Sequence, residues 1–118
     1  MHWTNKLSQF TCTTHYWPLF RSVELTDGVN FVVKTADARW LMLVIARELT
    51  DMDTDYWHLH IQVTRLLHCT RIKFTDAAGN WVCTTGVRDR TLDVSPFELR
   101  AGWTGNNWLL MLCTEDYR

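Results

Sequence analysis

No apolar stretch in the chain is long enough to cross a bilayer. The longest, Trp40 to Ala46, stops at Arg47 and Glu48, far short of the roughly 18 residues that a membrane helix needs. The opening residues, Met1-His2-Trp3-Thr4-Asn5-Lys6, lack the basic-then-apolar order of a secretory leader. Both absences predict a soluble protein that stays in the cytoplasm and has no membrane partner. A surplus of charge is also missing: twelve Lys and Arg face thirteen Asp and Glu, for a net charge of -1. General affinity for nucleic acid rests on concentrated positive charge that displaces counterions, so the balance argues against it. Two small basic groupings stand out all the same, Arg65 with Arg71 and Lys73, and Arg88 with Arg90.

Cys-x-x-Cys pairs are absent too, and Cys12, Cys69, Cys83 and Cys113 are far apart. A chain of 118 residues that is 47% hydrophobic can build a core without disulfides, so the four are expected as reduced, mostly buried thiols. The chain has no Gly-x-Gly-x-x-Gly, no phosphate-binding Gly-Lys-Ser/Thr loop and no Gly-x-Ser-x-Gly elbow. Dinucleotide sites, P-loops and α/β-hydrolases therefore lose their usual signatures, and no cofactor is implied. With no repeat, low-complexity tract or linker, residues 1–118 are expected to form a single domain.

What is present is periodicity. Pro18 makes His15 to Phe20 an irregular segment or an edge strand. Thr26 suits an N-cap, and Val29, Val32 and Val33 follow at helical spacing. Asp37 reads as a second N-cap or as a kink between two helices, ahead of a helix over Ala38 to Leu49 whose stripe is Leu41, Val44, Ile45 and Leu49. From Trp57 to Thr64 apolar and polar residues alternate, which predicts a strand with Trp57, Leu59, Ile61 and Val63 inward and His58, His60, Gln62 and Thr64 outward. Further strands are expected over Leu67 to Thr75 and Trp81 to Val87, joined by a hairpin loop at Asp76 to Asn80. Ser95-Pro96-Phe97-Glu98 has the capping-box pattern and predicts a short helix to Ala101, ended by Gly102. The apolar run Asn107 to Cys113 predicts a closing strand covered on both faces. The expected architecture is α+β: N-terminal helices packed on an antiparallel sheet of about four strands, with a short helix before the last strand.

Candidate sites are few. His58 and His60, at i and i+2, project from one face of a strand and have the spacing of metal ligands, with His68 or Cys69 as a third donor. The plainer reading is two solvated positions on an open sheet face. Asp51-x-Asp53-x-Asp55 begins like a calcium loop, but Tyr56 stands where glycine is needed and Gln62 where the twelfth-position Glu belongs, which leaves a solvated acidic loop. Tryptophan is the anomaly, with seven in the chain. Trp40, Trp57 and Trp108 have core periodicity. Trp3, Trp17, Trp81 and Trp103 lie in termini, turns or strand ends where burial is harder. Of these, Trp17, Trp81 and Trp103, in an irregular segment, at a loop exit and in a turn, are the candidates for a protein-binding surface.

Leu7-Ser8-Gln9-Phe10, Thr26-Asp27-Gly28-Val29, Ala38-Arg39-Trp40-Leu41 and Thr114-Glu115-Asp116-Tyr117 resemble a family of small uncharacterised bacterial and phage proteins, classified as a domain of unknown function. The resemblance runs over nearly the whole chain and departs from the family pattern around Pro96 and at Leu112-Cys113. It carries no catalytic residues, and it implies a bacterial or mobile-element context. The expected function is accordingly a non-enzymatic protein-binding module, with a phage inhibitor of a host defence system (anti-CRISPR-like) as the concrete instance and a host or defence-system protein as its partner. A small metal-dependent hydrolase using His58 and His60 is the alternative, and a nucleic-acid-binding accessory protein the third reading.

Overall fold

Residues 3–53 and 55–115 are described by the structure, a computed structural model. After a 3-10 helix at Trp3–Gln9, the elements are β1 (Trp17–Phe20), β2 (Val23–Leu25), α1 (Asp27–Thr35), α2 (Arg39–Thr50), β3 (His58–Arg65), β4 (Cys69–Asp76), β5 (Trp81–Arg88), β6 (Phe97–Trp103) and β7 (Trp108–Leu112). The strands form one seven-stranded sheet in the order β1-β2-β7-β6-β3-β4-β5. Pairing is antiparallel except between β2 and β7, which run parallel.

This architecture corrects the expected one. The sheet has seven strands rather than about four and is mixed, and its helices follow the first two strands. The segment before Pro18 leads into an edge strand, and its partner β2, too short to show a period, docks beside the closing strand instead of joining the helices. The short helix over Ser95 to Ala101 is absent. There Phe97, Leu99 and Ala101 are buried while Glu98 is exposed, a two-residue period that the local capping-box signal masked. Of the two readings of Asp37, the break between helices holds and the N-cap does not. Asp37 sits at φ 51° in the link between helices, and α2 begins after Ala38 without a side-chain cap.

Thr26 does cap α1, its hydroxyl accepting from the Val29 N–H at 3.4 Å. The stronger contact at that terminus comes from the far end of the chain. The Glu115 side chain is fully buried. Its Oε1 accepts from the Thr26 hydroxyl at 2.6 Å and from the Leu112 N–H at 2.9 Å, and its Oε2 accepts from the Gly28 N–H at 3.1 Å. A carboxylate here meets both the unpaired N–H groups and the positive end of the α1 dipole. Gly28 makes room for it: a Cβ at that position would lie 2.6 Å from Glu115 Oε1 and 2.6 Å from Leu112 Cδ1. Asp116 and Tyr117, which close the block quoted above, lie outside the described residues.

Asp27 organises the other side of the same helix start. Its Oδ2 accepts from the Thr14 N–H and hydroxyl at 2.8 and 2.9 Å, and its Oδ1 accepts from the Trp17 indole at 3.0 Å. Lys34 lies 5.1 Å from the Trp17 ring centre. The N-terminal segment is thereby tied to α1.

Both helices bury their stripes on one face of the sheet: Val29, Val32, Leu41, Met42, Ile45, Ala46 and Leu49 against Leu59, Ile61, Ile72, Phe74 and Leu99. Trp3 closes one side, edge-on to Phe97 at 5.8 Å. The inward phase of Leu59, Ile61 and Val63 is as expected, and β7 is buried along its whole length. Trp57 is not core. It precedes β3 at the end of the sheet, beside Tyr56 and the β4–β5 hairpin, and is 61% exposed. The thiols are free but not mostly buried: Cys12 and Cys113 are exposed, and Cys69 and Cys83 half-buried.

Burial alone would raise the Asp27 carboxyl, but the hydrogen bonds from Thr14 and Trp17 and the charge of His15 outweigh it and lower it from 3.8 to about 2. A folded-state value below the unfolded one contributes stability above the unfolded value, and that contribution is lost as pH falls toward the folded one. Wild type should therefore lose urea resistance between about pH 4 and pH 2, and Asp27→Asn should show a shallower dependence over that window. Equal pH slopes for the two proteins would contradict this account of Asp27.

Candidate functional site

The face of the sheet away from the helices presents the chemistry. Alternation along β3 puts His58, His60, Gln62 and Thr64 there, each half-buried. Cross-strand register builds rows around them. One row runs Trp81, Thr75, His60, Arg100, Met111, and the next Thr84, Lys73, Gln62, Glu98. Arg71 and Arg88 lie further along the same face, from β4 and β5. Positive charge is thus collected on a surface where, among the described strand residues, the acidic groups are Glu98 and, on β2, Glu24, although the chain as a whole carries a net charge of -1. The acidic loop lies at the end of the sheet: Asp51, Asp53 and Asp55 are exposed, Asp53 accepts from the Asp55 N–H at 3.0 Å, and Asp55 lines a pocket with His58.

Trp81 stands on this face at the exit of the hairpin. Asp76 shapes that hairpin by accepting from the Ala78 and Asn80 N–H groups at 3.0 and 2.9 Å, with Gly79 at φ 87°. The Trp81 indole donates to the Thr84 hydroxyl at 2.8 Å, and the residue remains 65% exposed. The other two tryptophan candidates are placed differently. Trp17 is held by Asp27 and Lys34 on the edge strand. Trp103 is half-buried and packs edge-on against Trp108 at 5.5 Å. Neither adjoins Trp81.

His58 and His60 share the open face, as their spacing predicts. The proposed third donors do not join them: Cys69 lies at the opposite end of β4 from Thr75, the residue across from His60. The structure brings a different pair to His60. Glu98 on β6 places Oε2 3.6 Å from His60 Nε2. Cys113, in the turn after β7, brings its sulfur close enough that one donor atom from each of the three residues lies within 4.8 Å of the others. Partial enclosure pushes the Cys113 thiol up, Glu98 adds to that, and Arg100 acts in the opposite sense. Burial, then the charges of Arg100 and His60, lower His58 below 6.5.

Glu98 and Cys113 also line a groove of about 470 Å³, with Leu7, Val94, Phe97 and Leu112 on its apolar walls. It opens between the 3-10 helix, the start of β6 and the turn after β7. That volume is within the range of small-molecule sites. Glu98 and Cys113 were not candidates in the sequence. Reading residues 97–101 as a strand would have set Glu98 on the face of His60, but nothing local points from Cys113 to either.

The model of a family of unknown function (DUF6876) matches residues 1–115. The chain belongs to that family. No curated protein and no solved structure matches it. In this DUF6876 chain, two of the blocks that carried the resemblance meet in space, Thr26-Asp27-Gly28-Val29 and the Thr114-Glu115 end. What they build is the buried cap of α1, a structural device. The open face and its groove are assembled from other residues.

An exposed His–Glu pair contributes little to folding, typically under about 1 kcal/mol. His60→Gln and Glu98→Gln should each shift the unfolding free energy by less than about that amount, measured by urea titration. A loss of several kcal/mol from either would make the pair a structural element rather than a free functional one.

Proposed function

We propose that the protein is a non-enzymatic binding module that docks onto an acidic surface of another protein through the open face of its sheet. The observation that carries this reading is Trp81, a large aromatic side chain left 65% exposed beside Lys73 on a face where Arg71, Arg88 and Arg100 also lie. Interfaces concentrate their energy in Trp, Tyr and Arg that become desolvated on contact. Charge complementarity supplies the selectivity, because a basic face speeds encounter with an acidic partner and repels a basic one. A protein partner fits better than a nucleic acid. Among the described strand residues Trp81 is the one tryptophan on this face, whereas strand-binding surfaces use several stacking rings.

The concrete instance is an inhibitor of a host defence system carried by a phage or mobile element, acting in the cytoplasm by covering a surface of a host or defence-system protein. The lack of a nucleotide or hydrolase motif in residues 1–118 and the resemblance to a family of uncharacterised bacterial and phage proteins support it.

Trp81→Ala and the pair Arg71→Glu with Lys73→Glu should each abolish capture of the partner from a bacterial lysate, with melting temperatures close to wild type. Capture that survives both changes overturns the reading. Binding of single-stranded DNA or RNA that falls steeply with salt and is lost in the charge-reversed protein would replace it with the nucleic-acid reading.

A further inference from the structure

We propose that His60, Glu98 and Cys113 form a divalent-metal site of the zinc class, with three protein donors and a fourth position open toward the groove that Glu98 and Cys113 line. The proposal is independent of the docking reading.

Geometry comes first. Two donors at about 2.0–2.2 Å from a tetrahedral ion stand about 3.3–3.6 Å apart. His60 Nε2 and Glu98 Oε2 are 3.6 Å apart, so they already hold that spacing. Cys113 completes the set from within 4.8 Å and has to close by about 1 Å for a zinc–sulfur bond of about 2.3 Å. An exposed side chain in a turn achieves that by rotation about χ1.

The donor set comes second. One imidazole, one carboxylate and one thiol match the borderline character of Zn²⁺, whereas Mg²⁺ and Ca²⁺ prefer oxygen alone. The three arrive from β3, β6 and the turn after β7, on neighbouring strands whose register is fixed by backbone pairing. As the sulfur–metal bond forms, the thiol S–H breaks and its proton passes to solvent, so one proton leaves for each ion bound at Cys113. Arg100, directly across from His60 on β6, donates to the Glu115 carbonyl and so has a hydrogen-bond acceptor of its own within the protein.

The groove comes third. Three-donor zinc sites keep an open position that takes water or a ligand atom. Here that position adjoins a cavity of about 470 Å³ with apolar walls. A small apolar molecule bearing one metal-binding group, such as a carboxylate or thiolate, has the shape and chemistry to fill both.

The test uses the full chain, freed of metal by chelation and then dialysed against zinc chloride. One ion per chain is expected. Cys113→Ser and His60→Gln should each weaken binding by more than about tenfold, while Cys12→Ser and His58→Gln leave it unchanged. Cobalt(II) in place of zinc should give a near-ultraviolet thiolate charge-transfer band that Cys113→Ser removes. Circular dichroism checks that each variant is folded. Should a variant fail to fold, protection of Cys113 from alkylation by zinc in the wild type decides the matter. Failure of the wild type to bind zinc at submillimolar concentration overturns the proposal. So does binding that survives loss of His60 and Cys113, or that leaves Cys113 open to alkylation.

Discussion

One buried side chain, Glu115, joins the two ends of this fold. It reaches from the turn after β7 to the first turn of α1 and satisfies Thr26, Gly28 and Leu112 together. Those three donors are buried, and each would cost about 1–3 kcal/mol if left unpaired. The contact also sets the path of the chain around it. Thr26 N–H donates to the Leu110 carbonyl at 3.1 Å, which holds the end of β2 parallel to β7 just before α1 begins. Thr114, next to Glu115, donates its hydroxyl to the Phe10 carbonyl at 2.8 Å, so the N-terminal segment is tied to the same turn. The helix layer, the parallel strand pair and the closing turn thus share one anchor.

That anchor leaves the opposite face of the sheet available. With the helices fixed on one side, the polar positions of β3, β4 and β6 form a continuous surface, and the turn that presents Glu115 inward presents Cys113 outward beside Glu98 and His60. The docking surface around Trp81 and the proposed metal site share rows of that face, Trp81 with His60 in one and Lys73 with Glu98 in the next. They use different side chains and are separable by substitution.

Local signals in the sequence were legible and long-range ones were not. The phase of β3 could be read because Leu59, Ile61 and Val63 alternate with polar residues over a full strand. The α1 N-cap and the Asp76–Asn80 hairpin could be read because their chemistry lies within a few residues. Trp57 was misplaced because alternation gives the direction of a side chain and not whether a helix reaches far enough to cover it. Residues 97–101 were misread because Ser-Pro-Phe-Glu competes with a short period-two pattern. The pairing of β2 with β7 had no local signal at all. At the site, the shared face of His58 and His60 followed from their spacing, but Glu98 and Cys113 are brought to His60 by strand order alone.

The most direct measurement of the Glu115 anchor is a double-mutant cycle between Thr26→Val and Glu115→Gln, read by urea unfolding of the two single variants and the double variant. Each single change should be strongly destabilising, and because both break one network, their effects should fall short of additive by about 0.5–3 kcal/mol. Effects that simply add, or a Glu115→Gln protein as stable as wild type, would contradict the account.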